Sequence, residues 1–252
     1  MAADAAPSFV FLPGLAEGGE AIEIAGDEAR YLARVVRVRP GERVVATDGE
    51  GLTATLEILE CADRVRARVL ERTIVPRAAT LEIWCGAPEG DRADWLVEKL
   101  AELGVARLRL VDGARGKWER FAAREERLHR LTIAALRQSR SAHRLVILPP
   151  LPLSVALAAL AEGGVRWVCR PDGAPAAGVV QASPGPAIAA VGPSSGFSPE
   201  ELNVLRENGF VGVALARPRL RTETAALAVA AVWAAADAAS APHRHGPGPA
   251  AP

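Results

Sequence analysis

The segment that decides the fold lies near the carboxyl end, where residues 215–227 read LARPRLRTETAAL. An apolar strand pattern at 211–215 leads into a basic turn, and a helical pattern follows at 222–236, with Thr222 as its predicted N-cap. Three arginines alternate along the turn: Arg217, Arg219 and Arg221. Because a helix N-terminus exposes backbone amides and carries partial positive charge, the pattern predicts a place where an anion binds.

Working outward, strand and helix patterns alternate from residue 76 to about residue 239. The predicted strands are 81–85, 107–111, 145–148, 165–169, 187–191 and 211–215. The predicted helices are 91–103, 125–138, 153–161, 199–208 and 222–236. Such alternation is typical of an α/β domain, which we assign to residues 76–240.

The first 75 residues have a different pattern, with short strands at 9–12, 21–24, 44–47, 52–59 and 65–75. One helix, 27–36, interrupts them, with Asp27 as its predicted N-cap and Pro40-Gly41 beyond its end. A small β-barrel is the simplest architecture for residues 1–75. Residues 241–252 are rich in proline and glycine, and we expect a disordered tail.

Composition limits the class of protein. Half of the 252 residues are apolar and about a quarter are charged, which is typical of a soluble globular protein. The chain has no apolar run long enough to span a membrane and no signal-peptide pattern at its start, so we expect a cytoplasmic protein. The three cysteines and four histidines have no spacing typical of a disulfide framework or a metal site, and we expect reduced, buried thiols and no metal.

The charge is zero overall but unevenly distributed. Between residues 107 and 144, eleven Arg or Lys side chains face four acidic ones, and smaller basic excesses lie at 30–43 and 217–221. Any one cluster is explained by a solvated helix face. The three together favour a partner that carries phosphates.

A second motif, residues 190–201, reads AVGPSSGFSPEE. It predicts a strand, a glycine-bearing loop and a helix whose capping box pairs Ser198 with Glu201. Gly192 and Gly196 let backbone approach a ligand, although a tight strand-to-helix connection explains this segment equally well. A third segment, 134–141, places Arg137 and Arg140 three positions apart, on one face of a helix end.

In combination, these segments resemble the RsmE family, a branch of the SPOUT methyltransferases. Residues 31–41 (YLARVVRVRPG) are similar to the family's HLxxVLRxxxG segment, and 99–105 (KLAELGV) resemble its KxxELGV helix. Residues 138–140 (QSR) are similar to EQSxR, 192–196 (GPSSG) to GPEGG, and 215–225 to LGxxxLRTETA. The stretch RTETA at 221–225 is the most specific of these, and the resemblance covers nearly the whole chain.

The resemblance implies a PUA-like β-barrel that binds RNA, followed by a trefoil-knotted methyltransferase domain acting as a homodimer. It implies S-adenosyl-L-methionine as cofactor and a uridine N3 of 16S rRNA as the methylated atom. The implied cofactor residues lie in three loops: Val168, Cys169 and Arg170; Gly192, Pro193, Ser194, Ser195 and Gly196; Leu215, Ala216, Arg219, Leu220 and Thr222. The expected RNA-binding residues are Arg34, Arg37, Arg137 and Arg140.

For catalysis, we expect Arg221 to hold a uracil carbonyl and so favour the N3 anion. Glu223 is a candidate general base, and stabilisation of the helix start is an equally open role.

The chain departs from the family pattern at several positions. Ser194, Ser195 and Ala216 stand where the family has Glu, Gly and Gly, and Glu89 stands where it has Lys. Two alternatives remain open: an rRNA-binding relative that has lost the cofactor, and a small-molecule α/β enzyme that binds a nucleotide at the glycine loop. The complete RTETA stretch favours the methyltransferase.

Overall fold

The computed structural model describes residues 7–77, 79–181 and 185–240, so the predicted tail at 241–252 lies outside the described residues. The strands are β1 (Ser8–Phe11), β2 (Ala21–Ile24), β3 (Arg43–Thr47), β4 (Leu52–Cys61), β5 (Val65–Ile74), β6 (Leu81–Cys85), β7 (Arg107–Asp112), β8 (Val146–Pro152), β9 (Val165–Pro175), β10 (Ala187–Val191) and β11 (Val211–Ala214). The helices are α1 (Gly26–Arg30), α2 (Ala93–Glu102), α3 (Phe121–Ser139), α4 (Leu153–Ala158), α5 (Ala176–Gln181), α6 (Pro199–Glu207) and α7 (Thr222–Ser240). A π-helical turn, Tyr31–Val36, follows α1.

The first sheet has five strands in the order β1-β3-β4-β5-β2. β1 runs parallel to β3, and the other pairs are antiparallel. In β5, Val65 and Ala67 are buried while Arg66 and Arg68 are exposed, which is the alternation that the sequence predicted. The buried side chains of this sheet and of the α1 region form one apolar core.

The predicted start of the first helix was wrong by two residues. Ala25, with an extended backbone, is the N-cap, so Asp27 lies in the first turn, where its carboxylate still interacts favourably with the helix dipole. The helix continues into the π-helical turn and ends at Arg37, whose backbone is left-handed with φ of 61°. The predicted helix 27–36 is therefore present, with wider winding in its second half.

The second sheet has six strands in the order β11-β9-β10-β6-β7-β8. β10 pairs in parallel with both β6 and β9, and β9 pairs in parallel with β11. The prediction of an α/β domain is confirmed, and the parallel pairing of these strands is added by the structure. Because the strands are parallel, the carboxyl ends of β9, β10 and β11 meet at one edge of the sheet, where open α/β folds bind ligands.

Two strands, β8 and β9, continue well past their predicted ends at residues 148 and 169. β9 continues to Pro175 because β11 pairs with it on both sides of a register shift. β8 continues to Pro152 through two prolines, which the prediction treated as a strand end. β8 is the last strand of its sheet, and an edge strand tolerates proline. The short helix α5 was not predicted.

Contacts divide the described residues into two compact units. The first contains those up to Arg77 together with Asp94–Leu108 and Glu119–Leu148, and the second contains the rest. The core of the second includes Trp84 and Phe210, whose ring centres lie 5.5 Å apart.

No helix in the described part of the chain combines the length and apolar character that crossing a bilayer requires. The described residues also contain no group of His, Cys, Asp and Glu side chains arranged to hold a metal ion. All three cysteines are free thiols. Cys85 is fully buried, and Cys169 is partly exposed as a residue although its thiol is enclosed, so the expectation of buried thiols was wrong only for Cys61, which is half-buried.

Candidate functional site

A cleft of about 440 Å³ lies where β9, β10 and β11 end, in the second unit. Three segments that are distant in sequence line it: residues 169–172, which lie within β9 and not in a loop as expected, and the loops 192–197 and 215–222. Every residue that was expected to bind the cofactor lines this cleft except Val168. Val168 lies within β9, is 3% exposed and packs in the apolar core, so its expected place in the site was wrong.

The cleft also has walls that the sequence analysis missed: Asp172, Val191, Phe197, Leu202, Pro218 and Ala225. Asp172 accepts two hydrogen bonds of 2.5 Å from Arg170, which hold the pKa of its carboxyl below the usual range. The pair follows from the extension of β9 past its predicted end. The apolar side chains among these residues make one wall suited to a flat, apolar group.

The helix start after the glycine loop has the predicted capping box. Ser198 Oγ accepts a hydrogen bond from the Glu201 amide at 3.2 Å, and Glu201 Oε2 accepts one from the Ser198 amide at 2.7 Å. These bonds satisfy two amides that the helix itself leaves unpaired. They also hold the end of the 192–197 loop, which lines the cleft.

Gly192 begins this loop, at a position that has no room for a side chain. A Cβ there would lie 2.8 Å from the Phe197 amide nitrogen and 3.1 Å from Gly196 Cα. Both neighbours are backbone atoms, which cannot move aside as a flexible side chain does. The close approach of Gly192 to Phe197 therefore requires glycine.

Three successive carbonyls of the 192–197 loop accept hydrogen bonds, two from the 215–222 loop and one from within the 192–197 loop. Thr222 Oγ1 donates to Gly192 O at 3.0 Å, and Arg219 Nη2 donates to Ser194 O at 3.0 Å. The Gly196 amide donates to Pro193 O at 2.8 Å. The prediction that Thr222 caps α7 was wrong, because α7 begins at Thr222 and its hydroxyl joins two loops instead.

A second cavity of about 150 Å³ adjoins the first. It shares four lining residues with the cleft: Ser194, Arg219, Leu220 and Thr222. Glu89, Arg221 and Glu223 complete its lining. The guanidinium groups of Arg219 and Arg221 make this small cavity suitable for a group with carbonyl oxygens.

Glu223 lies in the first turn of α7 and is only 1% exposed. Its Oε1 is 3.1 Å from Nη1 of Arg92, and that oxygen has no hydrogen bond of good geometry among the described residues. A buried carboxylate at a helix N-terminus is stabilised by the helix dipole as well as by the paired cation.

The two thiols near the cleft are poor nucleophiles. Burial raises the pKa of Cys169 to about 12. Burial, with smaller contributions from Cys169 and Glu223, also raises the pKa of Cys85 well above its ordinary value. Since the thiolate is the reactive form, both groups are inert at neutral pH.

The four arginines expected to bind RNA lie in the first unit. Arg34 and Arg37 are exposed on the π-helical turn and at its end. Arg140 is the C-cap of α3 and is left-handed, with φ of 54°, so the expectation that it shares a helix face with Arg137 was wrong. Its Nη2 donates to Pro7 O at 2.9 Å.

Arg137 is engaged inside the first unit. Its Nη2 is 2.5 Å from Glu28 Oε1, and its guanidinium lies 4.8 Å from the centre of the Tyr31 ring. The side chain is 22% exposed. Its contacts hold the carboxyl end of α3 against the turn that carries Arg34.

The chain is similar to proteins of known class. The RNA methyltransferase domain family matches residues 76–234, and the RNA methyltransferase PUA domain family matches residues 24–69. Ribosomal RNA small subunit methyltransferase E of Mycobacterium bovis and of Mycobacterium tuberculosis are each 31% identical to this chain. Each match spans 228 residues, which is 86% of this chain and 87% of the relative.

Solved structures show the same fold. Ribosomal RNA small subunit methyltransferase E from Neisseria gonorrhoeae, bound to S-adenosyl methionine, superposes with a TM-score of 0.81 at 27% identity. That match covers 90% of this chain and 96% of the other. A probable rRNA-methyltransferase from Porphyromonas gingivalis superposes with a TM-score of 0.79 at 25% identity, covering 92% and 99%.

Proposed function

This chain belongs to the RsmE family of ribosomal RNA small subunit methyltransferases, and we propose that it transfers a methyl group from S-adenosylmethionine to a uridine N3 of 16S rRNA. The observation that carries the proposal is the cleft at the ends of β9, β10 and β11, which is lined by two distant family motifs, 192–196 and 215–225, and by residues 169–172. Membership of this family contradicts the alternative of a small-molecule α/β enzyme.

The residues of the cleft fit this cofactor. Its volume of about 440 Å³ is within the range of small-molecule sites. The close approach at Gly192 gives backbone access to the ligand, and Phe197, Leu202 and Leu220 offer apolar contacts to an adenine ring. When bound, the cofactor supplies an electrophilic methyl group. We expect the 192–197 loop to hold the cofactor. Hydrogen bonds from Thr222 and Arg219 to carbonyls of that loop keep the loop in place.

We assign the adjoining cavity to the target base. A base must leave its stack to reach a methyl donor, and this cavity of about 150 Å³ has the size for a single pyrimidine. Arg221, exposed on its wall, donates to a uracil carbonyl and stabilises the anion that forms when N3 loses its proton. The observed burial of Glu223 favours its role in holding the start of α7, with Arg92, over that of a general base.

RNA phosphates are assigned to the first unit. Arg34, Arg37 and Arg140 are exposed there, while Arg137 supports the turn that carries Arg34. The five-stranded sheet and the PUA match support a PUA-like β-barrel for residues 1–75, followed by a methyltransferase domain at 76–240. A trefoil knot and a homodimer are part of the proposal on the ground of family membership. Ribosomal RNA as substrate implies action in the cytoplasm.

The test is calorimetric titration with S-adenosylmethionine, followed by tritium transfer to undermethylated small ribosomal subunits. We expect binding and label in 16S rRNA, with Arg221→Ala retaining cofactor binding but losing about a hundredfold or more in kcat. A wild-type protein that binds rRNA and shows no cofactor binding at millimolar concentration contradicts the proposal. That result instead supports the non-catalytic RNA-binding alternative.

A further inference from the structure

A short hairpin, residues 113–116, lies against the outer side of the 192–197 loop. The Gly113 amide donates to Gly116 O at 3.0 Å, which closes the hairpin. Just after it, the Trp118 amide donates to Asp112 Oδ1 at 2.7 Å, and the Trp118 indole donates to Cys85 O at 2.9 Å. The hairpin is thus fastened at its base to β7 and to the end of β6.

Ser195 joins the loop to this hairpin. Its hydroxyl donates to Arg115 O at 3.0 Å, and Arg115 Nη1 donates back to Ser195 O at 3.5 Å. The side chain of Ser195 therefore bonds to the hairpin, while the residue still lines the cleft. The RsmE motif GPEGG has glycine at the position of Ser195, and glycine has no hydroxyl to form this bond.

Glu201 forms the second attachment. Its Oε2 accepts the Ser198 amide in the capping box, and its Oε1 accepts the Ala114 amide at 2.7 Å. One carboxylate thus holds the end of the loop and the tip of the hairpin together.

Between these two attachments the hairpin and loop are in close contact. A Cβ on Gly116 would lie 2.8 Å from Pro193 Cβ. The loop is therefore held from inside by Arg219 and Thr222 and from outside by the hairpin.

We propose that the 113–116 hairpin positions the cofactor loop and that Ser195, through its bond to Arg115 O, is a positioning residue for cofactor binding. The inference rests on the proposed cofactor role of the cleft. A loop already held in its binding conformation loses less entropy when the ligand binds. The bond from Ser195 then contributes to cofactor affinity and not to the chemical step, because the hydroxyl bonds to the hairpin and has no part in methyl transfer.

The first experiment compares Ser195→Ala, Ser195→Gly and Ser195→Thr with wild type by calorimetry and kinetics. We expect the Ala and Gly variants to bind S-adenosylmethionine about three- to tenfold more weakly, with KM raised by the same factor and kcat unchanged. The Thr variant keeps the hydroxyl and should bind as wild type does. Ser154→Ala, an exposed serine in α4, is the matched control and should have no effect.

A second measurement needs no cofactor. Hydrogen exchange of peptides that cover 192–197 should be faster in Ser195→Ala than in wild type, with melting temperature unchanged and Ser195→Thr close to wild type. Equal exchange and equal affinity in Ser195→Ala and wild type overturn the inference. If wild type itself fails to bind the cofactor, the proposed function fails, and the exchange result still decides whether Ser195 holds the loop.

Discussion

Nη1 of Arg92 lies 3.1 Å from Oε1 of Glu223, a carboxylate that is 1% exposed in the first turn of α7. Arg221, the residue that we assign to the target base, is two positions before it. The ion pair therefore fixes the helix start that presents Arg221 to the small cavity. Glu223 also lines that cavity, but its burial and its pairing with Arg92 favour an indirect role, through the placement of Arg221.

Glu223→Gln tests this role, because the amide keeps the shape and removes the charge. We expect kcat to stay within about tenfold of wild type, since loss of a general base costs about a hundred- to ten-thousandfold. Single-turnover methylation measures the difference. A loss of kcat at the upper end of that range would identify Glu223 as the general base.

Arg92→Ala should destabilise the protein by about 1–2 kcal/mol, because it leaves a buried carboxylate without its cation while Arg92 itself is half exposed. In the Glu223→Gln background the same change should cost much less, since no charge is left unpaired. Urea denaturation of wild type, the two single variants and the double variant gives the coupling free energy between Arg92 and Glu223. Arg206→Ala, an exposed arginine of α6, is the control.

Arg137→Ala should cost roughly 2–3 kcal/mol at neutral pH, because Glu28 is left charged and buried without its cation. Burial raises the pKa of Glu28 above its ordinary value of 4.5, and Arg137 opposes that rise. A carboxyl with a raised pKa in the folded protein is more stable protonated, so its contribution to stability falls as the pH rises above 4.5. Without Arg137 the pKa of Glu28 rises further and this fall becomes larger.

The stability difference between Arg137→Ala and wild type should therefore be small at pH 4 and reach its full size at pH 7. Denaturation at both values measures it. Arg130→Ala, which removes an exposed pair with Glu126, should change stability by no more than about 0.5 kcal/mol at either pH. A loss that is independent of pH would show that the contact with Tyr31 dominates.

Substitutions of Arg37 distinguish an effect on RNA binding from an effect on folding, because the backbone of this residue is left-handed. Arg37→Gly should keep or raise stability by about 1 kcal/mol, since glycine adopts that conformation without strain, whereas Arg37→Ala keeps the strain. Both variants should weaken binding to 16S rRNA equally. They should also reduce the salt dependence of that binding by the equivalent of about one phosphate contact. Filter binding across a salt series measures this. Unchanged affinity in both would remove Arg37 from the RNA surface.

Gly192→Ala should reduce S-adenosylmethionine binding by about tenfold or more and cost about 1–3 kcal/mol of stability, because the added Cβ meets backbone at Phe197. Calorimetry and denaturation measure the two effects. Gly178→Ala is the matched control. It lies in helix α5 with open space around it, so alanine there should stabilise the protein by about 0.5–1 kcal/mol. Equal cofactor affinity in both variants would contradict the packing argument.

Local interactions were predicted well. The capping box of Ser198 and Glu201 spans three residues, so spacing along the chain is enough to reveal it. The alternation in β5 and the strands β2, β6 and β10 were predicted with the observed bounds or close to them, because each depends on which side chains face the core.

Non-local partners explain the failures. The Thr222 hydroxyl bonds to Gly192 O, thirty residues away, instead of capping its own helix. Arg137 pairs with Glu28 across 109 residues, and no local pattern distinguishes such an arginine from one that binds phosphate.

The sequence by itself determined the family, the α/β alternation and most of the residues that line the cleft, because motifs and side-chain periodicity are local properties of the sequence. Only the tertiary structure decided which contacts each of these residues makes. Val168 is enclosed in the core, Glu223 is paired with Arg92, and Ser195 is bonded to Arg115. Burial and pairing depend on neighbours that folding brings together, so they follow from the packing of distant segments and not from the segments themselves.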